Sequence, residues 1–282
     1  MFHVESGPAP VAQWIERGRP KACVGSSTLS GGATSLKGDV KLLLTSSGIK
    51  NATIEAALVE LLGKPINEAS ALFVPTGIYP FAGGARFGYG AIVGKVGGPM
   101  AALPWKSMGV LELTALPSVD EEAWVPMLRE TDALLVWGGD PVYLAHWLRQ
   151  SGVAALLPSL ENTVYVGTSA GAIATAHTFA ETYSNQPKRD GEILKTEQIA
   201  FDTAEGEEMV ELVTAPGIGL VDFNFIPHLN GPNHADVTVA NSARWAARMP
   251  GPTYALDEES AIKVVDGQVE VVTEGHWELF PK

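Results

Sequence analysis

Short apolar runs recur along the chain from residue 40 onward, and segments with helical periodicity lie between them. The runs are aliphatic or β-branched with little polar alternation, which is typical of strands buried on both faces of a sheet. Strands are predicted at 40–47, 71–77, 109–116, 132–140 and 163–167.

The intervening segments carry helix signals. Asn51 is placed to cap a helix that stops at Gly63, and Pro141 suits the first turn of another helix. Ser118 and Glu121 match the capping-box pattern. Helices are predicted at 51–62, from the capping box to about 129, and at 141–152, 170–180 and 234–248. Such alternation predicts a three-layer α/β/α fold around a mostly parallel central sheet.

Other segments are less regular. Residues 81–98 contain too much glycine for a regular element and predict a long loop near a site. Residues 182–214 form a polar, acidic insertion in this scheme. Short β-like segments at 253–259, 261–267 and 269–275 complete a single predicted domain over residues 40–282.

The first 39 residues have neither a strand nor a helix period and are rich in small residues. One interpretation is a disordered extension. The other is that a transfer-RNA gene has been translated, because VAQWIER resembles a translated D-arm and GSS a translated T-arm. We therefore expect the functional protein to begin near Val40, which would leave Cys23 outside it.

Composition narrows the class of function. A net charge of −13 argues against a nucleic-acid partner, and 46% hydrophobic with 18% charged residues is typical of a globular protein with a sizeable core. No apolar run approaches the roughly 18 residues of a membrane span. One cysteine excludes an intramolecular disulfide, which fits a reducing cytoplasm, so we expect a cytoplasmic protein. From the absence of a long apolar run we also expect no membrane partner.

Polar or glycine-rich residues follow several predicted strands, at 46–47, 138–140 and 167–171. Parallel strands bring such ends to one edge of the sheet, where sites form. The last of them, Gly-Thr-Ser-Ala-Gly, lies between a strand and a helix, as a nucleophile elbow does, and makes Ser169 a candidate nucleophile. The competing interpretation is a small-residue turn for packing or phosphate binding.

A serine nucleophile needs a base and an acid that orients it. His228 follows an apolar run and is the best candidate base, whereas His146 and His177 are predicted inside helices and packed. His276 lies close to the carboxyl end of the chain. His234 could join His228 and Asp236 around a metal, but this spacing is a weak signal and we expect no metal.

Three adjacent acids, 257–259, follow the predicted strand at TYAL, and pattern alone does not choose among them. The backbone N–H groups of Gly139 and Ala170 could form an oxyanion hole, although Gly138–Asp140 would equally serve as a plain strand-to-helix turn.

Taken together, GGDPVYL, GTSAGAI, IPH and LDEESAI, at 138–144, 167–173, 226–228 and 256–262, resemble the peptidase E family of aspartyl dipeptidases and the related cyanophycinases. The resemblance implies a fold like class I glutamine amidotransferases, with serine in place of cysteine. It also implies a triad of Ser169, His228 and Glu258, with oxyanion amides at Gly139 and Ala170 and no cofactor.

Two departures bear on the substrate that the resemblance implies. Asp140 stands where aspartyl dipeptidases usually carry asparagine, and Val239 stands where they carry an arginine. Arg244 is the nearest arginine along the chain, and Arg86 in the glycine-rich segment is another candidate to replace it. We expect a monomeric or homodimeric serine peptidase that hydrolyses short peptides, such as dipeptides with or without an aspartyl preference. Asp140 and Ser47 are expected to contact the substrate. The alternative is a non-catalytic binding or regulatory protein of the same fold.

Overall fold

An eight-stranded sheet organises the protein, seen here in a computed structural model that describes residues 27–28, 40–93, 95, 100–183 and 194–282. The predicted leader and Cys23 lie outside these residues, apart from the pair 27–28. The strand order is β1-β13-β12-β2-β6-β5-β3-β4. These strands are β1 (Ser27–Thr28), β2 (Lys41–Thr45), β3 (Ser70–Val74), β4 (Ser107–Val110), β5 (Ala133–Val136), β6 (Val164–Thr168), β12 (Ser260–Val265) and β13 (Gln268–Thr273).

The strands from β2 to β4 in that order are parallel, and β12 and β13 add an antiparallel flank. Successive strand residues enter opposite cores: Leu42 and Leu44 pack in one cluster, whereas Leu43 packs in the other. The helices that cover the faces are α1 (Ala52–Leu62), α2 (Gly84–Ile92), α3 (Glu121–Arg129), α4 (Pro141–Gln150) and α5 (Val153–Leu156). This confirms the predicted α/β fold with a large, mostly parallel central sheet.

Two smaller sheets complete the described chain. Parallel β10 (Asn224–Ile226) and β11 (Thr253–Leu256) pair side by side, with β14 (Trp277–Phe280) antiparallel to β11. The third sheet has β9 (Gly206–Pro216) between β7 (Thr178–Tyr183) and β8 (Lys195–Thr203), where the sequence predicted only an insertion. Residues 184–193 of that insertion lie outside the described part.

Several predicted elements are confirmed. Asn51 accepts the Ile54 N–H at 2.9 Å, and Gly63 ends α1 with a φ of 67°. Pro141 opens α4, and the three β-like segments near the carboxyl end form β11, β12 and β13.

The helix predicted at 170–180 is wrong in length. Helix α6 (Ala170–Ile173) is a single turn, and the chain then turns toward β7. Backbone N–H groups of residues 217–220 donate to the carbonyls of residues 174–177, so these carbonyls have partners outside any helix. A Cβ on Gly217 would lie 1.9 Å from the Ala176 oxygen, which is why glycine fits this close approach.

Other predicted bounds also fail. Within 81–98, part of which lies outside the described residues, helix α2 replaces the predicted loop. Its glycines allow close packing, since a Cβ on Gly84 would lie 2.0 Å from the Ile78 oxygen.

Strand β4 ends at Val110, because the following leucines enter the core through turns. Asp120 precedes α3, and the Ser118 capping box does not form. The last predicted helix is shorter, α7 (Val239–Ala246), and is capped by Thr238.

Candidate active site

The ends of three parallel strands meet at one edge of the main sheet. Strand β6 pairs with β2 on one side and with β5 on the other. The residues that follow these strands are Ser169 after β6, Ser46 and Ser47 after β2, and Gly138–Asp140 beyond β5. The topology therefore brings together the three places that the sequence singled out.

Ser169 lies on a tight turn with an unusual backbone. Its φ is 51° and its ψ is −111°, a conformation that costs about 1–3 kcal/mol for a residue with a side chain. Its N–H donates to the Thr45 oxygen at 2.9 Å, which fixes the turn against β2. Cβ atoms on Gly167 and Gly171 would lie 2.6 and 2.3 Å from backbone oxygens, so the turn needs both glycines. Ser169 is half-buried.

His228 reaches Ser169 from the neighbouring sheet. Its Nε2 lies 3.0 Å from the Ser169 Oγ, and the residue is 6% exposed. It follows Pro227 at the end of β10 and has a φ of 65°. The Ser46 hydroxyl accepts the His228 N–H at 3.3 Å and donates to the Leu256 oxygen at 2.8 Å. Ser46 thus joins the ends of β2, β10 and β11, which positions the histidine beside the elbow.

The three consecutive acids after β11 have different partners. The Glu258 Oε1 lies 2.9 Å from the His228 Nδ1, and its Oε2 is buried with no hydrogen-bond partner among the described residues. Asp257 accepts the Glu259 N–H at 3.0 Å and the Ser260 hydroxyl at 2.6 Å, so it closes the turn. Glu259 accepts the Asn51 side-chain amide at 3.0 Å. Only the middle acid contacts the histidine.

The residues predicted for the oxyanion hole lie beside the serine. Gly139 has a φ of 131°, and a Cβ there would lie 2.1 Å from the Gly77 oxygen. A Cβ on Gly138 would lie 3.3 Å from the Ser169 Cβ. In the part of the chain that the structure describes, the N–H groups of Gly139 and Ala170 donate to no backbone acceptor. Their role as oxyanion donors stays a prediction.

The two residues predicted to contact substrate have other surroundings. Asp140 is 0% exposed: it accepts the Tyr143 N–H at 2.7 Å at the start of α4 and the Tyr183 hydroxyl at 3.2 Å. The Ser47 hydroxyl is buried and has no partner among the described residues. Direct contact of either with substrate stays a prediction.

The surroundings of the site are acidic. Burial of the Glu181 carboxyl, and then repulsion by Asp140 and Asp236, raise the pKa of Glu181 to about 8, although the Thr182 N–H donates to it at 2.8 Å. Burial, and then the like charge of His228, lower the pKa of His234 to about 4. No local pattern in the sequence marked Glu181.

A match to the profile of peptidase family S51 decides the class of this protein. The profile matches residues 42–272. The chain belongs to peptidase family S51. It is therefore a serine-type peptidase, as the sequence motifs predicted. No curated protein matches the chain.

Two solved structures resemble this S51 peptidase. One, from Listeria monocytogenes EGD-e and provisionally assigned to peptidase E, is 17% identical, with 84% of this chain and 99% of that chain covered and a TM-score of 0.53. The other, a peptidase from an acI-B1 Actinobacterium, is 16% identical, with 88% and 90% covered and a TM-score of 0.51. At these identities the similarity shows the fold alone.

Three further histidines of the S51 peptidase that the structure describes have partners other than Ser169. His146 lies on α4 as predicted, with its ring against Trp147. The prediction for His177 is wrong: it is exposed, outside any helix, and its Nε2 lies 3.1 Å from the Asp222 Oδ1. His276 pairs with Glu278 at 3.1 Å.

His234 makes a contact that the sequence did not predict. In the sequence, the spacing of the two histidines was a weak signal for a metal site. In the structure, the rings of His228 and His234 are stacked face to face. Stacked rings direct their nitrogen lone pairs along parallel planes, so the pair does not converge on one ion. Among the described residues, no group of three or more His, Cys, Asp or Glu is arranged to hold a metal, and no helix is long and apolar enough to cross a membrane.

Proposed function

We propose that this S51 peptidase hydrolyses short peptides, dipeptides above all, through an acyl-enzyme on Ser169, with His228 as base and Glu258 as the orienting acid. The observation that carries the proposal is a continuous chain of short contacts. It runs from the Ser169 Oγ to the His228 Nε2 at 3.0 Å, and from the His228 Nδ1 to the Glu258 Oε1 at 2.9 Å. These are the distances that nucleophile activation requires.

In the proposed mechanism the Ser169 Oγ attacks the scissile carbonyl while His228 takes the hydroxyl proton on Nε2. Glu258 accepts the Nδ1–H, which keeps the proton-accepting lone pair on Nε2 and stabilises the imidazolium that forms. His228 then gives its proton to the leaving amine. A water molecule repeats the sequence on the acyl-enzyme and releases the acid, so that Ser169 is regenerated.

The oxyanion of each tetrahedral intermediate is proposed to bind the N–H groups of Gly139 and Ala170. Ala170 follows the nucleophile directly, and Gly139 lies on the adjacent turn, where Gly138 packs against the serine. Loss of one such donor typically costs about 10²–10³ in turnover. No cofactor or metal enters any step of this mechanism.

The surroundings of the site argue against an aspartyl preference. The negative charges of Asp140 and Asp236 lie close enough to perturb Glu181, and they would repel a substrate carboxylate. Val239 replaces the arginine that the family resemblance leads one to expect, and the Arg244 guanidinium already binds the Asp202 carboxylate at 2.7 Å. We therefore propose that dipeptides with neutral first residues are cleaved at least as fast as Asp-X dipeptides.

Hydrolysis of a dipeptide panel by the full chain tests the proposal. The panel contains Asp-X, Glu-X, Ala-X and Gly-X, with products identified by mass spectrometry. We expect Ser169→Ala to abolish cleavage, and Ser159→Ala, a change at a distant turn, to retain it. Cleavage that survives Ser169→Ala would refute the assignment of the nucleophile.

A serine-directed fluorophosphonate separates the enzyme from a non-catalytic binding protein. We expect labelling of Ser169 in the folded wild type and none in Ser169→Ala. Labelling without cleavage of any dipeptide would refute the substrate class but keep the nucleophile. Absence of both would favour the binding protein.

A further inference from the structure

A second histidine lies flat against the proposed base. The ring of His234 is parallel to that of His228, with centroids 4.1 Å apart and an interplanar angle of 7°. The two short contacts of His228 leave from nitrogens in the plane of its ring. The stack covers a face of that ring and is therefore compatible with both contacts.

A compact loop delivers His234 to this face. The Gly231 N–H donates to the His228 oxygen at 2.8 Å, and the His234 N–H donates to the Gly231 oxygen at 3.0 Å. The Asn230 N–H donates to the Val237 oxygen at 2.7 Å and closes the loop. The chain after His228 thus folds back over its own first residue.

The same loop shields the acid. A Cβ on Gly231 would lie 3.1 Å from the Glu258 Oε1 and 3.5 Å from the His228 Cβ, so Gly231 packs against both residues. Gly231 and His234 therefore enclose the base from two directions. This arrangement restricts rotation of the His228 ring about its side-chain bonds.

The second ring is also kept neutral at physiological pH. Burial is the first cause of its lowered pKa, about 4, and the like charge of His228 is the second; Glu258 and Asp236 act in the opposite direction. A neutral aromatic face therefore lies beside a ring that becomes a cation during turnover. A cation held against an aromatic face is stabilised by the ring quadrupole.

We propose that His234 is a positioning residue for the reaction: its stacked ring fixes the orientation of His228 and stabilises the imidazolium that forms as Ser169 attacks. The inference rests on the function proposed above. His234 neither gains nor loses a proton in any step. The proton moves from Ser169 to the His228 Nε2 and then to the leaving amine.

Two variants separate an aromatic role from simple packing. His234→Phe keeps a flat aromatic ring, and His234→Leu keeps an apolar side chain without one. We expect His234→Phe to retain kcat within about threefold. We expect His234→Leu to lower kcat about three- to tenfold at constant KM and to move the midpoint of the acidic limb of kcat/KM down by about 0.5 pH unit. His146→Leu, which removes a half-buried histidine on α4, is the matched control.

Thermal unfolding shows whether each variant is folded, and only folded variants are compared. Equal kcat and equal limb midpoints for His234→Phe and His234→Leu would overturn the proposal, since packing alone would then account for the residue. A raised KM with unchanged kcat in His234→Leu would also overturn it, because His234 would then contact substrate.

The rate of Ser169 labelling by a fluorophosphonate, measured against pH, keeps this inference separate from the choice of substrate. If no dipeptide is cleaved but His234→Leu slows labelling at least threefold more than His234→Phe, the substrate class fails and the role of His234 stands. If dipeptides are cleaved and both variants label at the wild-type rate, the role of His234 fails and the proposed function stands.

Discussion

Each of the three acids after β11 has a separate task at the scale of single residues. Asp257 binds the turn that leads into β12, and Glu259 binds Asn51 at the start of α1. Glu258 alone reaches the histidine, where its second oxygen is buried without a partner among the described residues. A buried carboxylate in contact with an imidazole stabilises the cationic form of the ring.

Replacing Glu258 with glutamine tests that task. An amide cannot neutralise the imidazolium. Its N–H can also donate to the His228 Nδ1, which favours the tautomer with the proton on Nε2, the nitrogen that has to accept the Ser169 proton. We expect Glu258→Gln to lower kcat by about 10²–10⁴ while the protein stays folded. The matched control is Glu259→Gln one residue away, which should stay within about threefold of wild type. Steady-state kinetics measures both, and equal losses in the two variants would contradict the assignment.

The site residues differ in how well sequence could predict them. Ser169 carries a local signature, because a strand, a turn with glycines on either side of the serine, and a helix follow one another directly. Glu258 emerged only through the family resemblance, since alternation along a strand cannot distinguish three adjacent acids at its end. Their partners, such as Asn51, are about 200 residues away, and only the folded chain brings them together. The catalytic roles themselves stay predictions.

At the scale of elements, two turns hold the site in register. The turn after β5 packs on the turn after β3: a Cβ on Gly77 would lie 3.0 Å from the Gly138 oxygen, and the Asp140 N–H donates to the Gly77 oxygen at 2.8 Å. Gly139 adopts a φ of 131° between these contacts. Backbone contacts thus fix the turn that is proposed to supply an oxyanion donor, together with the hydrogen bonds that the Asp140 side chain accepts.

Alanine substitutions distinguish the roles of the two glycines in this turn. Gly139→Ala would place a Cβ 2.1 Å from the Gly77 oxygen, and we expect a loss of both stability and activity. Gly138→Ala would place one 3.3 Å from the Ser169 Cβ, and we expect a melting temperature within about 3 °C of wild type with kcat/KM lowered about tenfold.

Gly63→Ala is the control for backbone strain, since Gly63 has a φ of 67° and open space around it. This change should cost about 1 kcal/mol, or roughly 2–4 °C in melting temperature. Gly139→Ala should cost more than twice as much. Equal losses in Gly63→Ala and Gly139→Ala would contradict the claim that the Gly77 contact requires glycine.

Element prediction succeeded where local signals determine the outcome and failed where distant backbone does. Asn51 and Gly63 fix the ends of α1 by themselves. The sequence after Ser169 keeps apolar helical spacing beyond Ile173, but the N–H groups of residues 217–220 donate to the carbonyls of residues 174–177. Nothing in the sequence near position 170 predicts that pairing. Likewise, the glycines of α2 are needed for its packing on the preceding turn, and composition alone favoured a loop.

At the scale of the whole molecule, acids from elements far apart in the chain gather near the site. Asp140 precedes α4, Glu181 lies on β7, and Asp236 lies in the loop before α7. The third sheet brings them together: Tyr183 of β7 donates to Asp140, and Trp245 of α7 donates to the Ala180 oxygen at 3.1 Å. The chain as a whole carries a net charge of −13, so this cluster belongs to a molecule that is negative overall.

Burial of Glu181, and after it the charges of the neighbouring acids, predict a stability that falls as pH rises. The pKa of Glu181 is about 8 in the folded protein against an ordinary 4.5, so the folded state keeps a proton that the unfolded chain has released. The contribution of Glu181 to stability is therefore greatest near and below pH 4.5 and declines as the pH rises toward 8. We expect Glu181→Gln, which cannot ionise, to raise the melting temperature at pH 8 by roughly 2–4 °C and to flatten the decline.

Asp236→Asn should act in the same direction more weakly, because it removes one of the two charges that repel Glu181. Glu205→Gln, at the exposed turn between β8 and β9, should leave the pH profile parallel to that of wild type. Calorimetry at intervals between about pH 5 and pH 8 measures all of these proteins under one set of conditions. A Glu181→Gln profile parallel to the wild type would mean that Glu181 is ionised throughout this range, which would contradict the raised pKa that burial and the neighbouring acids give this carboxyl.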